Sequence, residues 1–363
     1  MARPKTGPSI YDLGAELKLS PGTISRALRN CPEVSAGTRA KVRDRAAALG
    51  FELRSPCPRR INIGAVLLGP PAGAEPLLSY ATNVLAGMQD YATRANVTIS
   101  LLQFDADAFD GRDVVRTLRN RGADAAVFFN ALQGSRFYNQ LNDQRFPYCN
   151  VMADDGGENR RLLTIDSRRD ACRAVEYLLD LGHARIAVAL HFPDNDTTAK
   201  RFLGYKDALS KARIPVDDGL VLAPSEAACR GSDEFDFGYH GVEVLLSRAS
   251  PPTALVTMSC EAAIGALHAL RQRGIAVPRK FSVLAHDDSR YAEFTSPPLS
   301  VIRVPNRRLG QTAAEWVHRL SLGEQLPAWP DEPWMHAELV VRESTGSPRP
   351  GRLPGHSPPN ERQ

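Results

Sequence analysis

From Ile61 onward the chain alternates between two kinds of segment, and this restricts its fold more than any other feature. The runs INIGAVLL, NVTISLLQF, ADAAVFF, FPYCNVM, ARIAVAL, TALVTM and FSVLAH are short, apolar and bounded by polar residues. They have the length of strands buried on both faces. Helix-compatible stretches at 77–95, 113–121, 169–181, 199–212, 238–247 and 261–273 lie between most of them. Strand–helix alternation at this spacing specifies α/β architecture with doubly wound parallel sheets. There is material for two sheets, hence two lobes with a cleft between them, and ligands of such folds sit at the carboxyl ends of the strands. No G-x-G-x-x-G or phosphate-binding loop interrupts the turns, so no nucleotide cofactor is indicated, and no other cofactor either.

The first sixty residues are built differently. Ser9 is placed to cap a helix starting at Ile10, and Ser20 followed by Pro21 marks the start of a second. In the stretch LKLSPGTISRALRNCPEVS, Ile24, Ala27 and Leu28 share one face, while Thr23, Ser25, Arg26 and Arg29 lie largely outside it. A third helix follows Ser35, with Val42, Ala46 and Leu49 inward and Arg39, Lys41, Arg43 and Arg45 outward, stopped by Gly50. Three short helices with a tight first turn predict a helix-turn-helix head whose second helix enters a DNA groove.

Charge supports that reading. Residues 1–60 hold 12 Lys/Arg against 5 Asp/Glu; of the whole chain's 45 and 41, this leaves 33 basic and 36 acidic residues in the remainder. A basic head on a mildly acidic body is the electrostatic footprint of a nucleic-acid-binding module joined to something else. The N-terminal residues have no apolar core of the secretory type, and no run approaches a membrane span, so a cytoplasmic protein is expected. Six scattered cysteines without metal-ligand spacing are expected to be reduced thiols, with no metal site.

The segment SIYDLGAELKLSPGTISRALRNCPEVSAGTRAKVRDRAAALGF resembles the DNA-binding head of the LacI/GalR bacterial transcription regulators. The resemblance continues through YLLDLGHARIAV, RFLGYKDAL, PPTALVTMSCEAAIGALHALRQRGIAVPRKFSVLAHDD, SPPLSVIRVP and AELVVREST. It implies a periplasmic-binding-protein-like, two-lobed body, a homodimer on a palindromic operator, and a small-molecule effector, a sugar or other small metabolite, in the cleft. Pro21, Gly22 and Arg26 then occupy base-reading positions, and with Pro21 and Gly22 lacking hydrogen-bonding side chains, Arg26 carries more of the reading. Phosphates would be held by Ser9, Ser20, Thr23, Ser25, the basic third helix and the linker's Arg54, with Arg29 also at the DNA interface.

In the body the resemblance makes Arg201 the cleft arginine and Asp287 a ligand acceptor. Ser259-Cys260 stands where relatives carry Asn-Asp, His286 where an aromatic is common, and Met152 where an acid is frequent. His286 brings either a group titrating near neutrality, an aromatic face for a planar or anionic ligand, or a packed core histidine. Asp287 either meets the ligand or caps the following turn. Leu77 and Leu78 would form an apolar opposite wall. Dimer contacts are expected around Leu85, Met88 and the 291–294 segment.

These readings divide the chain into a head (1–52), a short Pro/Arg-rich linker (53–60), a two-lobed body (61–345) and a disordered Pro/Gly/Ser/Arg-rich tail (346–363). The linker FELRSPCPRRINIG is shorter than is usual in the family, and Pro56 and Pro58 oppose the hinge helix found in relatives. Leu53 as a minor-groove wedge and an extended basic strap through Arg54, Arg59 and Arg60 both stay open. So does a regulator of the same fold without a small-molecule effector, constitutive or governed by a partner protein. Catalysis is not expected: Asp287, Asp288, His286 and Cys260 form no nucleophile elbow or metal-ligand pattern.

Overall fold

The computed structural model describes residues 9–28, 34–51, 60–69, 79–105, 108–129, 137–152, 161–191, 196–224, 233–324 and 335–348. The chain forms two compact units, Met1–Arg60 and Ile61–Gln363.

The first unit contains α1 (Ile10–Leu17), α2 (Pro21–Leu28) and α3 (Ala36–Ala48). Its core is Leu13, Ile24, Ala27, Val34, Val42 and Ala46, with Ile10, Leu17, Leu19, Leu28, Leu49 and Phe51 packed around it. Each helix start is capped by a serine. Ser9 and Asp12 satisfy each other's backbone N–H groups in a capping box, Ser20 Oγ accepts from Thr23 N at 3.1 Å, and Ser35 Oγ from Thr38 N at 3.2 Å. The tight α1–α2 turn depends on Gly14, where a Cβ would lie 2.9 Å from the Leu19 carbonyl oxygen. Lys18 closes α1 in the left-handed conformation, so that helix ends at Leu17. At the end of α3, Gly50 (φ +61°) and Phe51 donate to Ala47 O and Ala46 O, a Schellman stop. Glu16 and Arg45 form an ion pair between α1 and α3.

The second unit holds two sheets. Lobe 1 has strands β1 (Ile61–Gly69), β2 (Val97–Asp105), β3 (Ala125–Phe129), β4 (Tyr148–Val151) and β5 (Leu162–Leu163), parallel in the order β2-β1-β3-β4-β5. Its helices are α4 (Ser79–Ala92), α5 (Val114–Asn120) and α6 (Phe137–Asp143). Lobe 2 contains α7 (Ser167–Asp180), β6 (Ile186–Ala189), α8 (Asp196–Lys211), β7 (Val221–Leu222), α9 (Glu234–Ser247), β8 (Ala254–Thr257), α10 (Cys260–Gln272), β9 (Ser282–His286) and β10 (Ser300–Arg303). After β10 the chain returns to lobe 1 as α11 (Asn306–Ser321), packed on α4, and β11 (Glu338–Val340) then closes the second sheet. That sheet runs β11-β10-β9-β8-β6-β7, parallel except for the antiparallel β10–β11 edge.

All seven apolar runs are therefore strands in two predominantly parallel sheets. One apolar cluster passes through both lobes, from Ile63, Val84 and Met88 through Leu163, Ile165, Val304 and Met335 to Val188, Tyr205 and Leu284. Burial of Met88 in that cluster corrects its assignment as a dimer contact; Tyr291 and Phe294 are 67% and 75% exposed. Helix pairs α4/α11, α7/α8 and α9/α10 touch through glycine. A Cβ on Gly310 would fall 1.9 Å from Val84 O, on Gly204 2.0 Å from Arg168 O, and on Gly238 1.8 Å from Ala262 O.

The last described residues complete the second sheet. Ser344 Oγ accepts from Ser300 N and donates to Val283 O, while Gly346 N donates to Ser282 Oγ. His183, buried, bridges Thr253 Oγ1, Ser282 Oγ and Gly346 O. Gly346, placed in the tail by sequence, thus belongs to lobe 2, because the polar atoms under β9 need its backbone.

Candidate functional site

Two sites emerge, one in each unit. In the head, α2 buries Ile24 and Ala27 and leaves Gly22 and Arg26 exposed, with Pro21, Thr23 and Ser25 partly so. Arg26 makes no ion pair among the described residues, which leaves its guanidinium available to an external acceptor. Hydroxyls of Ser20 and Thr23 lie 2.8 Å apart and cap the helix, and Ser9 Oγ donates to Asp12 Oδ2 at 2.6 Å. These serines therefore act first as caps, which fixes the helix starts whose N–H groups would meet phosphate. Lys41 and Arg43 add exposed positive charge on α3. Arg29, Leu53, Arg54 and Arg59 lie outside the described residues.

The second site lies where β9 ends. The parallel pairing of β8 with β9 sets Thr257 beside Ala285, so Ser259, His286 and Asp287 emerge at one edge of the sheet. Arg201 reaches this edge from α8. It is 4% exposed; Nη1 donates to Met258 O at 2.7 Å and Nη2 is 3.6 Å from Asp287 Oδ2, while Nε has no partner. Asp287 holds a left-handed backbone (φ +67°), uncommon for a non-glycine residue, and accepts a long 3.3 Å hydrogen bond from Asn306 Nδ2. Asn306 is the first residue of α11; it is buried and its Oδ1 is unpartnered.

His286 is fully buried, and neither ring nitrogen has a hydrogen-bond partner. Burial, and then the neighbouring Arg201 charge, push its pKa well below the ordinary histidine value. The ring is therefore neutral at pH 7, which corrects the expectation of a group titrating near neutrality. Ser259 Oγ caps α10 by accepting from Ala262 N at 3.2 Å, leaving its O–H hydrogen for other uses. Cys260 accepts from Ser289 Oγ, and burial pushes its thiol up to about 11, so it is no nucleophile at neutral pH. Asp288 is held by Arg303 and Arg342, a structural role apart from the site.

Lobe 1 supplies the opposite wall. The Tyr80 phenol, at the start of α4, has its pKa raised by burial and then by the Asp287 charge, with Arg201 opposing and Glu234 adding. Sequence reasoning passed over Tyr80 and Asn306; Leu77 and Leu78, its candidates for this wall, lie outside the described residues. Thr197 Oγ1 of α8 donates to Met152 O at the end of β4, a 2.7 Å bond joining the lobes. Asp170, in the first turn of α7, is buried with Oδ2 unpartnered; burial raises its pKa while Arg173 and Arg201 oppose.

Every buried unpartnered nitrogen or oxygen costs free energy, of order 1–3 kcal/mol. Arg201 Nε, His286 Nδ1 and Nε2, and Asn306 Oδ1 lie on the set of residues around Asp287. Such a set is suited to a polar ligand that supplies the missing partners. Among the described residues no group of His, Cys, Asp and Glu suits a metal ion, and no helix is long and apolar enough to cross a membrane.

A family model described as a periplasmic binding protein-like domain matches residues 175–345. Catabolite control protein A of Priestia megaterium is 26% identical over 84% of this chain and 90% of its own length. The HTH-type transcriptional repressor CytR of Escherichia coli is 27% identical over 94% of this chain and 97% of that protein. Among solved structures, the lac repressor dimer bound to operator and an anti-inducer superposes with a TM-score of 0.69 at 20% identity, covering 94% of this chain and all of that one. A CelR–cellobiose complex superposes with a TM-score of 0.65 at 23% identity, over 93% and 99%. These two likenesses are of fold; the named sequence relatives are transcription regulators rather than enzymes.

Proposed function

We propose that the chain is a LacI/GalR-type bacterial transcription regulator, as its similarity to catabolite control protein A and CytR supports, and that it is a cytoplasmic, homodimeric repressor that binds a palindromic operator and responds to a small molecule held between its lobes. The head (1–52) places α2 of each subunit in a major groove, with Arg26 reading a base and the linker (53–60) running along phosphates. Ser9, Ser20, Pro21, Gly22, Thr23, Ser25, Arg29 and Arg54 form the rest of that interface. Two heads on a two-fold axis supply the specificity that one head lacks. The exposed Tyr291–Phe294 turn is the proposed contact between body domains.

The observation that carries the DNA-binding reading is the geometry of α2: its apolar face is buried, its start capped, and Arg26 exposed with no ion pair among the described residues. The effector reading rests on the buried, unpartnered atoms of Arg201, His286 and Asn306 around Asp287. They favour a regulator with an effector over one without, since a constitutive protein gains nothing from leaving those groups unmatched. Ligand affinity that differs between the DNA-competent and DNA-incompetent arrangements of the lobes couples the two sites.

Selection of duplexes from a random library by the full-length protein, at fixed salt, tests this. An enriched inverted repeat is the expected result, and the sequence at its centre reports whether the linker wedges into the minor groove. Recovery of no motif, with or without small molecules present, sinks the reading of the head.

A further inference from the structure

We infer that Cys172 and Lys211 form a redox-responsive modification site, in which a hydroperoxide oxidises the thiol and the lysine amine then closes a sulfur–nitrogen bond between α7 and α8. The site belongs to lobe 2 and does not rest on the effector reading.

The two helices bring three reactive groups into mutual contact. Lys211 Nζ donates to Cys172 Sγ at 3.3 Å and to Glu176 Oε1 at 2.8 Å, and the thiol donates to the same carboxylate oxygen at 3.4 Å. Cys172 and Glu176 stand one turn apart on α7, and Lys211 is the last residue of α8. The helices are held in register on either side of this cluster. Gly204 lets α8 rest against the Arg168 carbonyl and the Cys172 amide, and Arg168 donates two hydrogen bonds to Asp207. A nitrogen held 3.3 Å from sulfur is already a near-attack pair, so little side-chain freedom is left to lose.

Access separates this cysteine from the other two described. An open groove of about 600 Å³ over α7 and α8 is lined by Cys172, Glu176 and Lys211 together with Arg169 and Arg173. Cys149 instead lies in β4 and donates to the Asn150 carbonyl, while Cys260 accepts from the Ser289 hydroxyl. Among the described residues no lysine touches either of them.

The chemistry balances with one hydroperoxide. Cys172 sulfur attacks the outer peroxide oxygen; an S–O bond forms, the O–O bond breaks, and two electrons pass to the peroxide, which leaves as an alcohol or water. The deprotonated Lys211 amine then attacks the sulfenic sulfur. The S–N bond forms, the S–O bond breaks, and the hydroxyl leaves as water with a proton relayed from the amine by Glu176. In sum, a thiol, an ammonium and a hydroperoxide give a sulfenamide, an alcohol, a water and a proton. Burial raises the Cys172 thiol against the pull of Lys211, and the hydrogen bond to Glu176 raises Lys211. Both groups therefore gain their reactive forms as pH rises, and the cross-link forms faster in alkaline solution. A small thiol reverses it by attacking the sulfur and releasing the amine. While it lasts, α8, which carries Thr197 and Arg201, is fastened to the first helix of lobe 2.

Peptide mapping tests this. Full-length protein is exposed to hydrogen peroxide at about pH 7 and about pH 9, the remaining thiols are alkylated after denaturation, and the proteolytic peptides are identified by mass spectrometry. The expected product is a joined pair containing Cys172 and Lys211, short of two hydrogens, formed faster at the higher pH and parted by dithiothreitol. Lys211→Arg keeps the charge on an exposed helix end, but its guanidinium stays protonated. It should give no joined pair, while a sulfenic-acid trap labels Cys172. Wild-type Cys172 left as a thiol, or carried to sulfinic acid with no joined pair, overturns the proposal. So does an equal yield of the pair from protein oxidised in urea, since the folded geometry then directs nothing. A joined pair that retains the peroxide oxygen overturns the condensation step as written.

Discussion

Arg26 and Arg201 do opposite things with the same side chain. Arg26 sits on an exposed helix face in water, costs the fold nothing, and leaves no mark on the head's packing. Arg201 is buried, with one donor to a carbonyl, a loose pair with Asp287 and an unmatched Nε. The difference lies in what each site meets when it is empty. A surface that binds a macromolecule is satisfied by solvent when empty and is recognised by its pattern of residues. A buried site for a small molecule carries unmet hydrogen bonds when empty and is recognised by what its atoms lack.

Substitutions sharpen or break that contrast, and the largest effect belongs to the scaffold beneath the buried site. Gly310→Ala forces α4 and α11 apart, because Val84 O already occupies the space of the new methyl. Unfolding of the body in urea should show a loss of roughly 3 kcal/mol; retention of wild-type stability contradicts the packing described. Arg26→Ala should weaken binding to the selected operator by about 2 kcal/mol and relax preference at one base position, with no change in the head's melting. Unchanged discrimination moves base reading away from α2.

His286→Leu inverts the usual rule for core substitutions. Removing two buried nitrogens without partners should stabilise the unliganded body by about 1 kcal/mol and abolish the response to the effector. A destabilised variant would mean that the imidazole is matched after all. The smallest effect concerns pH. His286 and His183 both have folded-state pKa values below the unfolded value, through burial. Protons therefore bind the unfolded chain more readily below about pH 6.5. The stability associated with the neutral rings is fully present above that pH and declines as pH falls toward the folded-state values. Urea midpoints at pH 7.5 and 5.5 measure it, and His286→Leu should flatten the slope; an equal slope in both proteins assigns the loss elsewhere.

The central strands β3, β4, β6, β8 and β9 were legible because each is a short apolar run buried on both faces, and the edge strand β2 by its alternating apolar residues. β5 and β7, two residues each, are too short to produce any period, and α6 is barely two turns. α11 had its signal in the spacing of Leu309, Ala313, Trp316 and Val317, which share the buried side. In the head, the helix starts at Ser9 and Ser20 stood in the sequence with their roles apparent. Of the residues the sequence proposed for the cleft, the fold brings Arg201, Ser259, His286 and Asp287 to one edge of the second sheet. Tyr80 and Asn306 are far from them along the chain, and nothing local to either residue announces that the fold brings it to the end of β9. The neutrality of His286 was equally out of reach, since it follows from burial next to an arginine contributed by another helix.

The route of the chain between the lobes has a consequence for how the protein is made. Lobe 1 needs α11 to cover α4, and lobe 2 needs β11, Ser344 and Gly346 to finish its second sheet. Neither lobe can be completed from a contiguous stretch, and both wait on residues beyond 305. The head has its own core within the first 51 residues. On a ribosome adding about 5–20 residues per second, the head is free to fold well before either lobe closes. Messages broken before the codons for α11 would then yield heads without a functioning sensor. Such fragments are single heads, and under the proposed pairing of heads on a palindromic site they are too weak to compete with the whole protein.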